Sequence, residues 1–186
     1  VLSVTVSIVA CNDEFLDVNT DPNNPTSVSD ELALPVAQTY TANSIYTDRY
    51  TNTIGNLYMY NWSQAYGFSW YLEEFQYLVT STYYEQLWDY QYQNVLKQYH
   101  TLDVAVEGST SNNYFRAISK IMKSFHFQVL VDLYGDIPYT DALQRGQNIT
   151  PKFDDAKTIY GSLISELTAA ISLIDAAGDD ASNPGD

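Results

Sequence analysis

Within "DLYGDIPYTDA", Asp132 to Ala142, three carboxylates share eleven residues with a glycine, a proline and two tyrosines. Carboxylates at this density can ligate a cation, work a glycosidic bond as an acid–base pair, or help to close a helix. A calcium loop alternates its oxygen ligands at every second position and ends on a bidentate Glu; Asp132, Asp136 and Asp141 are spaced more widely, and that Glu is absent. Glycoside hydrolysis needs two carboxyl groups at a fixed separation, one of them kept protonated. Nothing in this stretch sets such a separation, and a hydrolase would have to draw its acids from a pair such as Glu73 and Glu74. Helix termination does fit: Gly135 can take the left-handed conformation that closes a helix, and Pro138 holds Ile137 extended. Tyr134, Gly135, Asp136 and Pro138 are therefore expected to form a structure-specifying turn without catalytic or metal-binding duty, in which the Asp136 carboxylate accepts hydrogen bonds.

A second stretch offers different chemistry. The chain has 17 tyrosines and three tryptophans, most of them between Tyr40 and Tyr99, and "YMYNWSQAYGFSWY" runs from Tyr58 to Tyr71. Sugars present flat C–H faces and many hydroxyls, so aromatic platforms flanked by amide hydrogen-bonders suit them. Trp62, Tyr66, Trp70 and Tyr71 are the candidate rings, and Asn61 and Gln64 the candidate amides. Gly67 breaks helical continuity among them, so the rings can be displayed. The same rings can equally wedge between helices with their hydroxyls in water, and the residues alone leave both readings open.

Other chemistry is poorly provided for. His100 and His126 have no second His or nearby Cys, and no Ser-His-Asp spacing, phosphate loop or dinucleotide fingerprint occurs, so neither metal nor cofactor is expected. Eight Lys+Arg against 23 Asp+Glu give a formal charge of −15, which repels phosphate backbones and excludes nucleic acid as a partner. The single cysteine, Cys11, rules out an internal disulfide. It ends "VLSVTVSIVAC", a run too short to span a bilayer but suited to the apolar region of a signal peptide. Ile8-Val9-Ala10-Cys11 resembles the bacterial lipobox, in which cleavage before the Cys leaves it lipidated.

The elements that must position these residues read as helices. Ser29 or Asp30 can cap one carrying Leu32, Val36 and Tyr40 inward, and a weaker pattern follows around Ile54, Tyr58 and Trp62. Trp88, Tyr92, Val95, Tyr99, Leu102 and Val106 fall on one stripe and mark the clearest helix. Asn112 or Asn113 starts another, with Ile118, Met122, Phe125, Val129 and Leu133 predicted inward. Asp154 is expected to cap a last helix through Ile159, Leu163, Leu167, Ala170 and Ile174, stopped by Gly178. No 34-residue repeat is defensible from the spacing, and any sheet is expected to come from small hairpins or from sequence beyond this chain. The expected organisation is a signal-peptide remnant over residues 1–10, a lipidated tether over 11–27, a helical region over 28–178 and a linker over 179–186.

"AISKIMKSFHFQVLVDLYGDIPYTDAL", Ala117 to Leu143, resembles the signature of the SusD/RagB family of surface lipoproteins from Bacteroidetes: an alanine-bearing helix, then a "YGD-hydrophobic-P" turn. The Cys11 lipobox, "FLDVNTDPNNPT", "LWDYQYQNV" and "PKFDDAKTIYGSLISELTAAISLI" follow the family's order. Family members are longer, so the chain is expected to be their N-terminal portion. The resemblance implies a mostly α fold, a tetratricopeptide-like helix-pair array with irregular loops, and no catalysis. It implies a lipid anchor in the outer membrane at the cell surface and a TonB-dependent SusC-like transporter as partner. The cargo it implies is a polysaccharide or oligosaccharide, or for some relatives a peptide. A surface helical glycoside hydrolase is the alternative from another functional class.

Overall fold

A computed structural model describes residues 30–46, 51–105, 113–144 and 148–178. Cys11, the tether and the linker over 179–186 lie outside the described residues. The helices are α1 (Asp30–Tyr46), α2 (Thr51–Tyr58), α3 (Leu72–Phe75), α4 (Glu85–Tyr90), α5 (Lys97–Ala105), α6 (Asn113–Tyr134) and α7 (Ala156–Ala177). A π-helical stretch, Gln91–Leu96, joins α4 to α5, and two short strands, β1 (Ile137–Pro138) and β2 (Phe153–Asp154), lie between α6 and α7. The mostly α architecture expected from the sequence is the one observed.

α6 and α7 are each 22 residues long and run antiparallel. Three side-chain bridges fix the direction: Tyr114 to the Gly178 carbonyl at one end, Lys120 to Glu166 at 2.7 Å further along, and Tyr160 to Asp132 at the other end. α7 has the length and apolar composition of a membrane span. It nevertheless places Ile159, Leu163 and Ala170 in the protein interior, as the second half of a helical hairpin does.

The stripe through Trp88 to Leu102 is realised across a change of helical pitch. Trp88 and Tyr92 are half-buried, whereas Val95, Tyr99 and Leu102 are fully buried. The wider π turn rotates the register, so the adjacent Val95 and Leu96 are both buried but enter different cores. Leu96 packs with Phe127, Leu130, Val131, Ile137, Ile159 and Leu163. Val95 packs with Leu34, Ala37, Tyr99, Leu102 and Phe115. The stretch from Glu85 to Ala105 thereby welds α1 on one side to the α6–α7 hairpin on the other.

Three helices differ from expectation. On α1, Leu32 and Val36 are exposed, and Leu34, Ala37 and Ser44 are buried instead. On α6, Phe125 and Leu133 are exposed, while the interior receives Phe115, Ala117, Ser119, Ser124, His126, Phe127, Leu130 and Val131. α6 touches α5 on one side and α7 on the other, so it buries two faces, and small residues let neighbouring backbones approach. On α7 the cap is Asp155, whose Oδ1 accepts the Thr158 amide at 2.9 Å. Asp154 is a strand residue paired with Ile137, so its carboxylate points into the turn rather than over the helix end.

His126 is fully buried beneath α1 and α5. The Thr41 hydroxyl lies 3.0 Å from its Nε2 and 2.9 Å from the Tyr99 hydroxyl, and the Tyr99 ring stacks on the imidazole. Nδ1 is buried without a partner. Burial therefore disfavours the imidazolium and pushes the pKa down from 6.5 to about 4. Between those values the unfolded chain binds the proton and the folded one does not, so this contribution is fully present above pH 6.5 and is lost as pH falls toward 4. The shift corresponds to about 3 kcal/mol. Denaturant titrations should show the parent losing stability across this window more steeply than His126→Gln. Equal slopes for the two proteins would contradict the assignment.

Candidate functional site

The carboxylate-rich turn forms because a buried apolar pair must be brought between two helices while every backbone group there finds a partner. Gly135 sits at φ 77° and returns its amide to the Val131 carbonyl at 2.9 Å, ending α6. Ile137 and Pro138 are buried and pair in antiparallel register with Asp154 and Phe153. Asp136 Oδ1 accepts the Ala156 amide at 2.9 Å, at the head of α7. Asp154 Oδ2 accepts the amides of Tyr139 and Thr140 at 3.0 and 2.7 Å. The Tyr92 hydroxyl donates to the Pro138 carbonyl at 2.6 Å. Trp88 closes the outside of the turn, edge-on to Tyr134 and stacked on Phe153.

The acids of the opening stretch are thus dispersed rather than convergent. Asp132 holds Tyr160, and Asp136 holds the start of α7. Among the described residues no group of three or more His, Cys, Asp or Glu is placed to hold a metal ion. Burial, followed by the charges of Glu166 and Asp154, pushes the Tyr139 hydroxyl up to about 12. Burial likewise raises Tyr92, so both phenols stay protonated at neutral pH, and that of Tyr92 serves as a donor.

The aromatic stretch is built on different terms. α2 ends at Tyr58, and the chain does not enter a helix again until Leu72. Tyr60, Tyr71, Tyr77 and Tyr84 all sit at φ between 54° and 57°, and Gly67 at φ 88°. Only the glycine adopts such a conformation freely; each tyrosine costs on the order of 1 kcal/mol. Tyrosine–tyrosine contacts hold the strained segment. Tyr60 and Tyr77 hydroxyls meet at 2.8 Å, those of Tyr58 and Tyr83 at 2.5 Å, and the Tyr58 and Tyr77 rings stack with centroids 5.4 Å apart. Desolvation, together with the bond to Tyr58, raises the Tyr83 pKa. The Asn56 carbonyl accepts the amides of Asn61 and Trp62.

The residues singled out from the sequence fall in this segment with differing exposure. Trp62, Tyr66, Trp70 and Asn61 are exposed, and Tyr71 and Gln64 are half-buried. Gln64 Oε1 is buried without a hydrogen-bond partner, while Asn61 Nδ2 approaches Asn56 Oδ1 at 3.4 Å. Sequence reasoning missed Met59, Tyr60, Phe68 and Tyr77, which are also exposed. The density of rings around Gly67 was the signal available for Tyr60 and Phe68; nothing local announced Tyr77, whose partner lies 17 residues away.

Glu73 and Glu74 do not make an acid–base pair. Neighbouring side chains on a helix point about 100° apart, and Glu74 is buried, 2% exposed, accepting the Tyr84 hydroxyl at 2.7 Å. Glu73 is exposed and lines a shallow cleft of about 140 Å³ with Thr82, Tyr84, Glu85 and Gln86.

Residues 22–186 match the family model for SusD-like proteins, described as starch-binding and associating with the outer membrane. No curated protein matches the chain. The match takes in all the described residues, the helical hairpin with its glycine–proline turn included, and the chain belongs to the SusD-like family.

Proposed function

We propose that this chain captures oligosaccharides at the cell surface, held to the outer membrane through a lipid on Cys11, and passes them to a TonB-dependent SusC-like transporter. The observation that carries the reading is the exposed aromatic segment around Gly67, in which Trp62, Tyr66 and Trp70 remain in solvent on a backbone held in left-handed turns. The family description, starch-binding and associating with the outer membrane, supports the same reading. Rings displayed at the cost of backbone strain are better explained by a ligand than by packing. Trp62, Tyr66, Trp70 and Tyr71 supply stacking faces, and Asn61 and Gln64 supply amides for sugar hydroxyls. Binding without turnover is the activity proposed, and the separation of Glu73 from Glu74 removes that pair as an acid–base couple for hydrolysis.

Stacking on a ring contributes on the order of 1 kcal/mol, about fivefold in affinity. Calorimetric titration of the full-length protein against a panel of polysaccharides should therefore show Trp62→Ala and Trp70→Ala each weakening binding severalfold with little change in melting temperature. A ligand bound equally by both variants and the parent would place the site elsewhere.

The anchor has its own test. A short apolar run ending in Ile8-Val9-Ala10-Cys11 leads into an acidic, Asn- and Pro-rich stretch suited to a tether. Stable anchoring takes more than one acyl chain, and lipidated Cys11 would carry them. Cys11→Ala should leave the membrane fraction on a salt wash; its retention there would contradict lipidation at this residue.

A further inference from the structure

We infer that Glu73 and Glu85 make the aromatic site selective against acidic glycans, so that its ligand is a glycan free of carboxylate and sulfate groups. The inference rests on the ligand-binding reading of that segment and adds the charge of the substrate.

No Lys or Arg occurs between Arg49 and Lys97, whereas Glu73, Glu74, Glu85 and Asp89 all fall there. The surface that displays the rings therefore contributes negative charge alone. Glu73 and Glu85 are exposed and share the cleft with Thr82, Tyr84 and Gln86. Glu74 is buried and accepts the Tyr84 hydroxyl, so it brings no positive partner to this surface. Glu73 follows Trp70 by three residues, which bounds their Cα separation at about 11 Å. Charges at such a distance act over roughly one Debye length at physiological salt and further at low salt. A uronate or sulfated sugar lying on Trp70 would meet this field. It would also meet the negative faces of the rings themselves. Two lysines of α6 are themselves engaged, Lys120 with Glu166 at 2.7 Å and Lys123 with Asp103 at 2.6 Å. A neutral sugar encounters none of this repulsion and keeps the full stacking and hydrogen-bonding surface.

Chemically matched pairs test the inference. Full-length protein is titrated with soluble amylose, pullulan and galactomannan, and with the carboxymethyl derivative of each, at 20 mM and 500 mM NaCl. For whichever backbone binds, the neutral form should be favoured about three- to tenfold at low salt, and the ratio should shrink toward one at high salt. The ratio should also shrink at low salt in the Glu73→Gln/Glu85→Gln protein. A salt-independent ratio would assign the discrimination to the bulk of the substituent and overturn the inference, as would a ratio unchanged in the double variant. Binding of a carboxymethyl form as tightly as its neutral parent overturns the inference and leaves the aromatic platform standing. If none of the three pairs binds in either form, the platform reading fails on these glycans and takes the inference with it.

Discussion

Ile137 must be buried between two long helices at the point where the chain reverses, and most of the architecture follows from how that is achieved. A reversal buried this deeply would strand backbone donors and acceptors, each worth about 1–3 kcal/mol if left without a partner. Gly135 supplies the left-handed step, Asp136 takes the first free amide of α7, Asp154 takes two amides from the far side of the turn, and Tyr92 satisfies the Pro138 carbonyl. With those bonds made, Ile137 can join Leu96, Phe127, Leu130, Val131, Ile159 and Leu163 in one core. Of the carboxylates that invite a catalytic reading, Asp132 is thus spent on a phenol and Asp136 on a backbone amide.

The aromatic segment obeys the opposite economy. Its rings are largely in solvent, four of its tyrosines are in left-handed conformations, and its cohesion comes from hydroxyl–hydroxyl contacts and stacking between phenols. Regions with few buried apolar contacts open at low free-energy cost, and ligand-binding loops are drawn from that end of the stability range. The chain thereby separates a rigid frame from an adaptable surface. α2 carries the second on the first, since Tyr58 belongs at once to that helix and to the aromatic contacts.

Much of this was legible in the sequence, for identifiable reasons. The glycine–proline spacing specified the turn because glycine admits the left-handed step and proline fixes φ, and the stripe from Trp88 to Leu102 located a helix because the run stays helical through the change of pitch. The buried faces of α1 and α6 were not legible. Periodicity reports the most apolar stripe, whereas a helix packed on two sides buries Ser119, Ser124 and His126 as well. The cap of α7 slipped by one residue because adjacent aspartates, Asp154 and Asp155, are equally good caps until strand pairing fixes which one faces the helix. In the candidate site, ring density marked Trp62 to Tyr71, but left-handed tyrosines and a contact between Tyr60 and Tyr77 carry no local signature.

The central claim is that the carboxylate-rich turn is structural and the aromatic segment receives the ligand. Hydrogen–deuterium exchange, read peptide by peptide with and without a bound oligosaccharide, tests it most directly. Without ligand, amides of α6, of the turn through Thr140 and of α7 up to its last turn should exchange slowly, and those from Met59 to Val79 fast. With ligand, protection should appear between Met59 and Val79 and leave the turn unchanged. New protection confined to Asp132 through Ala142, with the aromatic segment unaffected, would contradict the account.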